Sequence, residues 1–173
     1  MIKRILRPLF KLQKKFRLYF YTLKIKLQCK SFVFPLRVNF KSSVTSNTIL
    51  HSNINFNGMN IKGLEKVEIC DNFHSGEECL MITQIHNFDT GNAIPYDDSY
   101  ILKDIYIEEN VWLGDRVILL GGITIGEGAI IQAGSTVTSD IPKYAIAGGH
   151  PAKIFKYRDI KHYEKLKKEK KFC

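Results

Sequence analysis

Five histidines, His51, His74, His86, His150 and His162, are the groups of this 173-residue chain suited to exchanging a proton near neutral pH. A neutral imidazole can take the proton of an alcohol, which is otherwise a poor nucleophile. His86 stands apart by the segment that succeeds it in the chain. Residues 87–104, NFDTGNAIPYDDSYILKD, gather Asp89, Asp97, Asp98 and Asp104 with Tyr96 and Tyr100. Carboxylates and aromatic rings in one segment suit the hydroxyls and ring faces of a saccharide; the plainer reading is a solvated loop. Cys29, Cys70, Cys79 and Cys173 show neither metal nor redox spacing, which points to reduced, structural thiols in a cytoplasmic protein.

The scaffold that must hold these groups is written in a repeat. From Ile107 to Pro142 run six uninterrupted hexads, IEENVW, LGDRVI, LLGGIT, IGEGAI, IQAGST and VTSDIP. Their first positions, Ile107, Leu113, Leu119, Ile125, Ile131 and Val137, are all large and aliphatic. Their fifth positions, Val111, Val117, Ile123, Ala129, Ser135 and Ile141, are small or β-branched, and Gly114 and Gly126 take second positions. A helix of about 3.6 residues per turn would scatter such a repeat around its surface, whereas short strands meeting at turns keep one position inward. The pattern predicts a β-solenoid in which three hexads close a coil and first positions stack on one another. Upstream, Ile69, Ser75 and Met81 take first positions, and Phe73, Cys79 and Ile85 fifth positions, until His86 ends the coil. The hexads then lapse to Ile107, and an excursion of that length within a regular repeat is functional or disordered. Residues 31–66, rich in Asn and Ser, read as irregular opening coils, and the chain is expected to leave the solenoid after Pro142.

The run VWLGDRVILLGGITIGEGAIIQAGSTVTSDIPKYAIAGGHPAKIFK, with IHNFD upstream, resembles the hexapeptide-repeat acyltransferases, and in particular the branch that O-acetylates sugars of bacterial surface polysaccharides. The resemblance covers roughly residues 49–158. It implies a left-handed parallel β-helix, a handedness that spacing does not give, assembled as a homotrimer with its sites between subunits. It also implies acetyl coenzyme A as cosubstrate without a metal, and direct acetyl transfer to a sugar hydroxyl of a capsule, a lipopolysaccharide or a precursor. By the same resemblance His86 is the general base, and Asn55 approaches the reacting centre, with Asn57 as its rival. Asn87, Asp89 and Trp112 fall at the saccharide acceptor. Ala133, Gly134 and Thr138 fall along the pantetheine arm with Asp115 nearby, and Ser139, Lys153 and Lys156 toward the nucleotide phosphates. Ser139 departs from the pattern, since relatives often carry Lys there, leaving that contact weaker or supplied by Arg158. His150 reads as structural and His74 as decoration of a neighbouring coil.

Three other readings stand beside this one. A small-sugar or antibiotic O-acetyltransferase would use the same machinery. A γ-type carbonic anhydrase would have to press His74, Glu77, Glu78 and His86 into a zinc set, and the histidine pair five apart that those enzymes carry is missing. A non-catalytic solenoid scaffold is opposed by the retained HNFD and AGS motifs.

Charge divides the chain into a basic amphipathic segment (1–41), an acidic solenoid (42–142, with its excursion at 87–104) and a basic exit segment with a short charged helix (143–173). Residues 1–41 carry twelve Lys or Arg and no acid, while 42–152 carry five against fourteen acids. In the first segment Ile2, Ile5, Leu9, Leu12, Phe16, Tyr19 and Leu23 recur at helical spacing, with Pro8 marking a start or kink. That stripe either lies on the anionic inner face of a membrane, through residues 1–30, or packs on the solenoid or between subunits. A signal peptide and a spanning helix both fail, because Lys and Arg interrupt every apolar run. Nucleic acid is not an expected partner: the pI is 9.4, but no recognition motif accompanies the charge and the body is acidic.

Overall fold

The structure, a computed structural model, describes residues 2–173, with side chains described from Phe10 onward. Helix α1 (Ile2–Gln28) is followed by strands β1 (Ser31–Phe32), β2 (Leu36–Phe40), β3 (Thr48–Leu50), β4 (Ile54–Asn57) and β5 (Asn60–Lys62). Next come β6 (Val67–Ile69), β7 (His74–Glu77) and β8 (Leu80–Ile82), then a hairpin of β9 (Gln84–His86) and β10 (Tyr100–Leu102). The hexads form β11 (Ile105–Ile107), β12 (Trp112–Leu113), β13 (Ile118–Leu120), β14 (Ile123–Ile125), β15 (Ile130–Ile131) and β16 (Thr136–Val137). Strands β17 (Ala145–Gly149) and β18 (Ala152–Tyr157) and helix α2 (Ile160–Lys168) close the chain.

These strands make a parallel β-solenoid of three faces. The first face stacks β1, β3, β6, β11 and β14; the second β2, β4, β7, β12, β15 and β17; the third β5, β8, β13 and β16. Each hexad supplies one strand, so three hexads make one coil. All six first positions are sealed from solvent, and all six fifth positions are buried beside them. The core is thus the predicted column of Ile, Leu and Val, stabilised by burial at roughly 25 cal/mol per Å² of apolar surface.

Two of the three corners turn through residues at positive φ, a region that glycine and asparagine tolerate best. Asn53, Asn72, Asn110 and Gly128 line the corner between first and second faces, and Gly58, Glu78, Arg116 and Gly134 the next. The asparagines also bind one another: Asn53 Nδ2 donates to Asn72 Oδ1 and Asn72 Nδ2 to Asn110 Oδ1, each at 2.9 Å. One residue type therefore satisfies both the turn and the stacking.

Four expectations are corrected. Residues 31–66 are not irregular: β1 to β5 stack in register with the later coils, with Asn53 doing the work of a corner glycine. The excursion is not structureless and begins earlier, since β9 and β10 pair antiparallel with His86 opposite Tyr100. Ile85, expected to point inward, is 40% exposed because the chain has already left the coil after buried Thr83. Nor does the solenoid end at Pro142, for β17 continues the second face beside β15 before β18 folds back on it antiparallel.

Helix α1 packs by a face other than its predicted stripe. Thr22 and Ile25 are buried against the first coil, and Thr22 Oγ1 accepts the Val38 N–H at 3.1 Å. Leu12, Phe16, Tyr19 and Leu23 are exposed. At about 100° per residue they lie roughly opposite the packed face. The expectations placed on Ile2, Ile5 and Leu9 fall outside the described side chains.

At the other end α2 begins at its cap Asp159, whose carboxylate accepts the His162 N–H at 3.0 Å. The helix is moored by buried Glu127, which accepts from Tyr163 OH at 3.1 Å, from Lys143 Nζ at 3.3 Å and from Lys167 Nζ. Burial pushes the Glu127 carboxyl up, but Lys167, Tyr163 and Lys143 outweigh it and hold the group below its ordinary range. Glu127→Gln should therefore cost on the order of 1–3 kcal/mol in urea unfolding. Hydrogen exchange should show α2 amides losing protection while the coil keeps its own. With the folded value below the unfolded one, this contribution is complete above about pH 4.5 and is lost as the pH falls through the lowered value. The variant's stability should accordingly change less than the parent's across that acid range.

Candidate active site

The repeat sets outward residues of successive rungs in columns, and one column on the second face carries most of the chemistry. Asn55 on β4 is paired in register with His74 on β7, His74 with Trp112 on β12, and Trp112 with Ile130 on β15. His74, expected to be decoration, stands directly between Asn55 and Trp112. Its Nε2 is buried and has no hydrogen-bond partner. The signal was in the register, because His74 precedes the first-position Ser75 just as Trp112 precedes Leu113.

Trp112 is 52% exposed and lines two cavities. One, of about 410 Å³, is walled by Trp112, Gly114, Asp115, Ile130, Ala133 and Phe155. Trp112, expected at the acceptor, is thus together with Asp115 and Ala133, expected along the pantetheine arm; Phe155 was missed. Gly114 is required there, since a Cβ would come within 2.5 Å of the Ala133 nitrogen on the next rung. Asp115 Oδ1 accepts the Glu77 N–H at 2.8 Å, and its carbonyl accepts the Gly134 N–H at 2.7 Å. Gly134 takes φ +72° with open space where a side chain would be. The second cavity, about 340 Å³, lies under α2 and the final residues, between Trp112, His74, Arg158, Tyr163, Leu166 and Phe172.

The cations and hydroxyls expected around the nucleotide and the end of the pantetheine arm are more dispersed. Lys153 and Lys156 are exposed on β18, opposite Gly148 and Ile146. Thr138 and Ser139 follow β16 on the third face and line neither of these cavities. Arg158 is not a spare exposed cation: its Nε donates to the Gly128 carbonyl and its guanidinium lies 5.4 Å from the Tyr163 ring centre, with burial lowering its pKa.

His86 sits elsewhere, at the base of the hairpin. Its imidazole stacks on Tyr96 at 3.8 Å between ring centres and leans on Tyr100 at 4.7 Å. Its Nδ1 is buried without a partner. The loop beyond holds itself together. Asn87 Oδ1 accepts from the Thr90 N–H at 3.1 Å and hydroxyl at 3.0 Å, while Asn87 Nδ2 donates to Ser99 Oγ at 3.2 Å. These bonds occupy the amide expected to meet the acceptor, so Asn87 is a loop-builder. Asp97 does the same, its carboxyl drawn down to about 2 by the Ser99 hydroxyl and by the Asn92 and Ser99 N–H groups. Asp89 is exposed.

Asn55 Oδ1 accepts from Asn39 Nδ2 at 2.9 Å, and its rival Asn57 accepts from the same amide at 2.8 Å. Asn57 also donates to the Ser75 carbonyl at 2.6 Å. Asn57 is the more committed to the scaffold. His150 Nδ1 lies 2.8 Å from the Thr136 hydroxyl. The set His74, Glu77, Glu78 and His86 is not a cluster, and Glu78 is paired with Arg116 at 2.8 Å. Among the described residues potential metal ligands gather at His51, Glu68 and Cys70, where Glu68 is already paired with His51 and Lys66 at 3.1 Å each.

Chain order fixes how these parts lie. The groove is on the second face and the corner after it, whereas the hairpin leaves between the third and first faces, the edge opposite the second face. Within one chain, His86 and the groove are on opposite sides of the prism.

Comparison with known proteins agrees with this reading of the fold. Residues 104–139 match the family of bacterial transferase hexapeptide repeats. A galactoside O-acetyltransferase of Lactococcus lactis is 48% identical over 69 residues, 38% of this chain and 33% of that one. A hexapeptide-repeat acetyltransferase of Vibrio cholerae, solved with acetyl coenzyme A, aligns at TM-score 0.53 and 25% identity over 73% of this chain and 63% of that one. A maltose O-acetyltransferase of Clostridium difficile aligns at TM-score 0.54 and 28% identity, over 75% and 66%. The chain thus carries the hexapeptide repeat and is similar to these acetyltransferases, while its match spans about a third of the Lactococcus enzyme's length.

Trp112 is the only tryptophan in the chain and a wall of both cavities. Coenzyme A seated in the groove should change its fluorescence in a saturable way. Ala133→Arg, which fills the groove from an exposed position, should abolish that change while leaving circular dichroism intact.

Proposed function

We propose that this protein transfers an acetyl group from acetyl coenzyme A to a sugar hydroxyl of a surface polysaccharide or its precursor. The observation that carries the reading is the groove in which Trp112, Asp115 and Ala133 converge, on a face whose backbone lies open beside small residues. The similar proteins are named for acetyl transfer, and one was solved with acetyl coenzyme A. The pantetheine arm would lie along this groove, with Gly134 and Thr138 beside it and Ser139, Lys153 and Lys156 toward the phosphates.

The step is a direct displacement. The sugar oxygen attacks the thioester carbonyl while His86 takes its proton; the C–S bond breaks, and the departing sulfur receives the proton from the imidazolium. Tyr96 and Tyr100 fix the plane of the imidazole for this transfer. Because His86 and the groove lie on opposite sides of one chain, the hairpin of one subunit must reach the groove of the next. A closed ring of three meets that need, so we take the enzyme to be a homotrimer. Asn55 would enter from the groove face, and Asp89 and Trp112 would border the acceptor. We put the enzyme in the cytoplasm, against the inner face of the membrane. A second reading, transfer to a small free sugar, is favoured by the galactoside and maltose enzymes among the similar proteins. Thiol release measured with free sugars, nucleotide sugars and lipid-linked glycans separates the two.

His86→Ala should lower kcat by about 10²–10⁴ while coenzyme A still quenches or enhances Trp112 normally. Full turnover by a folded His86→Ala protein would remove His86 from the mechanism and make His74 the candidate. Mixing His86→Ala chains with Ala133→Arg chains gives a sharper check. Each variant alone is crippled, but a mixed trimer should regain one of its three sites, roughly a quarter of all sites in an equal random mixture, where an intact hairpin meets an intact neighbouring groove.

A further inference from the structure

We propose that the outer face of α1 docks on an anionic bilayer, and that the acceptor is therefore a saccharide carried on a lipid; the second half rests on the acetyl-transfer reading, the first does not. Leu12 (64%), Phe16 (70%), Tyr19 (68%) and Leu27 (79%) are exposed together with Phe20 and Leu23. From Leu12 to Leu27 they line about 22 Å of helix at 1.5 Å per residue. The solenoid cannot cover them, because α1 packs on it through Thr22 and Ile25, on the reverse side. An apolar stripe of this size, left open by its own fold, calls for an apolar partner.

Charge selects that partner. Lys15 flanks the stripe on one side and Lys24 on the other, at about 100° per residue, while Lys26 and Arg17 lie over the Phe34 and Phe40 rings of the solenoid, with Lys11 and Lys14 behind. Residues 1–41 contain no acid. Two such stripes face to face would bring two sets of cations together with nothing to neutralise them. A bilayer of anionic lipid supplies both requirements in layers, acyl chains under the stripe and phosphates at its flanks. The helix lies on this surface and does not cross it: no helix among the described residues is long and apolar enough to span.

Docking fixes the orientation of the site. Because α1 caps the first coil, the solenoid stands on the membrane by that end. The hairpin bearing His86 leaves after β8, two rungs from the strand that α1 covers. At about 4.8 Å per rung it stands roughly 10 Å from that strand, at the end of the solenoid that α1 turns toward the headgroups.

The test uses the full chain and vesicles of phosphatidylcholine with or without phosphatidylglycerol. At low salt the protein should sediment with the phosphatidylglycerol vesicles at least about tenfold better than with the neutral ones, and high salt should weaken this. Replacing Leu12, Phe16 and Tyr19 together by Ser should remove at least about tenfold of the binding, with oligomeric mass and coenzyme A binding unchanged. Failure of the parent protein to bind phosphatidylglycerol vesicles overturns the docking, and so does a triple variant that still binds but loses its oligomeric state, for the stripe is then an interface between copies. Thiol release is then compared on a lipid-linked saccharide in those vesicles and on its water-soluble, lipid-free counterpart. The parent should favour the vesicle-borne acceptor at least about tenfold, and the triple variant should lose only that advantage. Equal rates overturn the lipid-borne acceptor while docking stands; no transfer to any acceptor defeats the acetyl-transfer reading and the acceptor with it, and leaves docking to the sedimentation result.

Discussion

A parallel solenoid can satisfy its backbone only rung against rung, so every strand must begin in phase with those above and below. That requirement governs what the chain may add and where. Ile105 pairs with Ile123, 18 positions later, but with Val67, 38 positions earlier. The surplus cannot be absorbed within a face without breaking the column of inward Ile, Leu and Val, so it leaves at a corner as the β9–β10 hairpin. The same rule confines the other additions, α1 and the β18–α2 unit, to the two ends. What the protein presents to other molecules is distributed by the geometry of a coil before any chemistry is considered.

This division explains why no single face looks like a finished catalytic centre. The groove depends on residues that let two rungs approach and leave the surface open, Gly114 and Ala133, with Trp112 as a wall. The imidazole of His86 depends on something the coil cannot give, a ring-sized clamp, and obtains it from Tyr96 and Tyr100 on the hairpin. Asn87 and Asp97, polar residues that invite a binding role, are used up in holding that loop. Arg158 is likewise diverted from solvent to the Gly128 carbonyl and the Tyr163 ring.

The repeat body was legible because position within a hexad has one physical meaning. First positions face inward whatever their neighbours do, and Ile107 through Val137 could be assigned from spacing alone. The opening coils were obscure for a reason of residue type, since Asn53 occupies a corner where glycine would have signalled the turn. The departure at Thr83 was not legible, because antiparallel pairing of Gln84–His86 with Tyr100–Leu102 competes with the coil, and nothing in the period reports that contest. In α1 the longer apolar stripe masked the shorter packing face of Thr22 and Ile25, and only the tertiary contact tells the two apart. Around the groove, Trp112, Asp115 and Ala133 were singled out by the family pattern and line one cavity. His74 was underweighted though its register matched that of Trp112, and Phe155 belongs to a returning strand that no hexad announces.

The hydrogen bond from the Val38 N–H to Thr22 has a consequence for solubility. Strand β2 ends the second face, and its unpaired backbone groups would be a template for another chain's strand. With α1 laid across it, one of those donors is already engaged and Ile25 seals the core beneath; at the opposite end β18 runs antiparallel and interrupts the parallel register. With both edges of its second face closed, the solenoid resists lengthening by stacking on its copies. Stripped of α1, the same column of rungs would be one open end short of a growing filament.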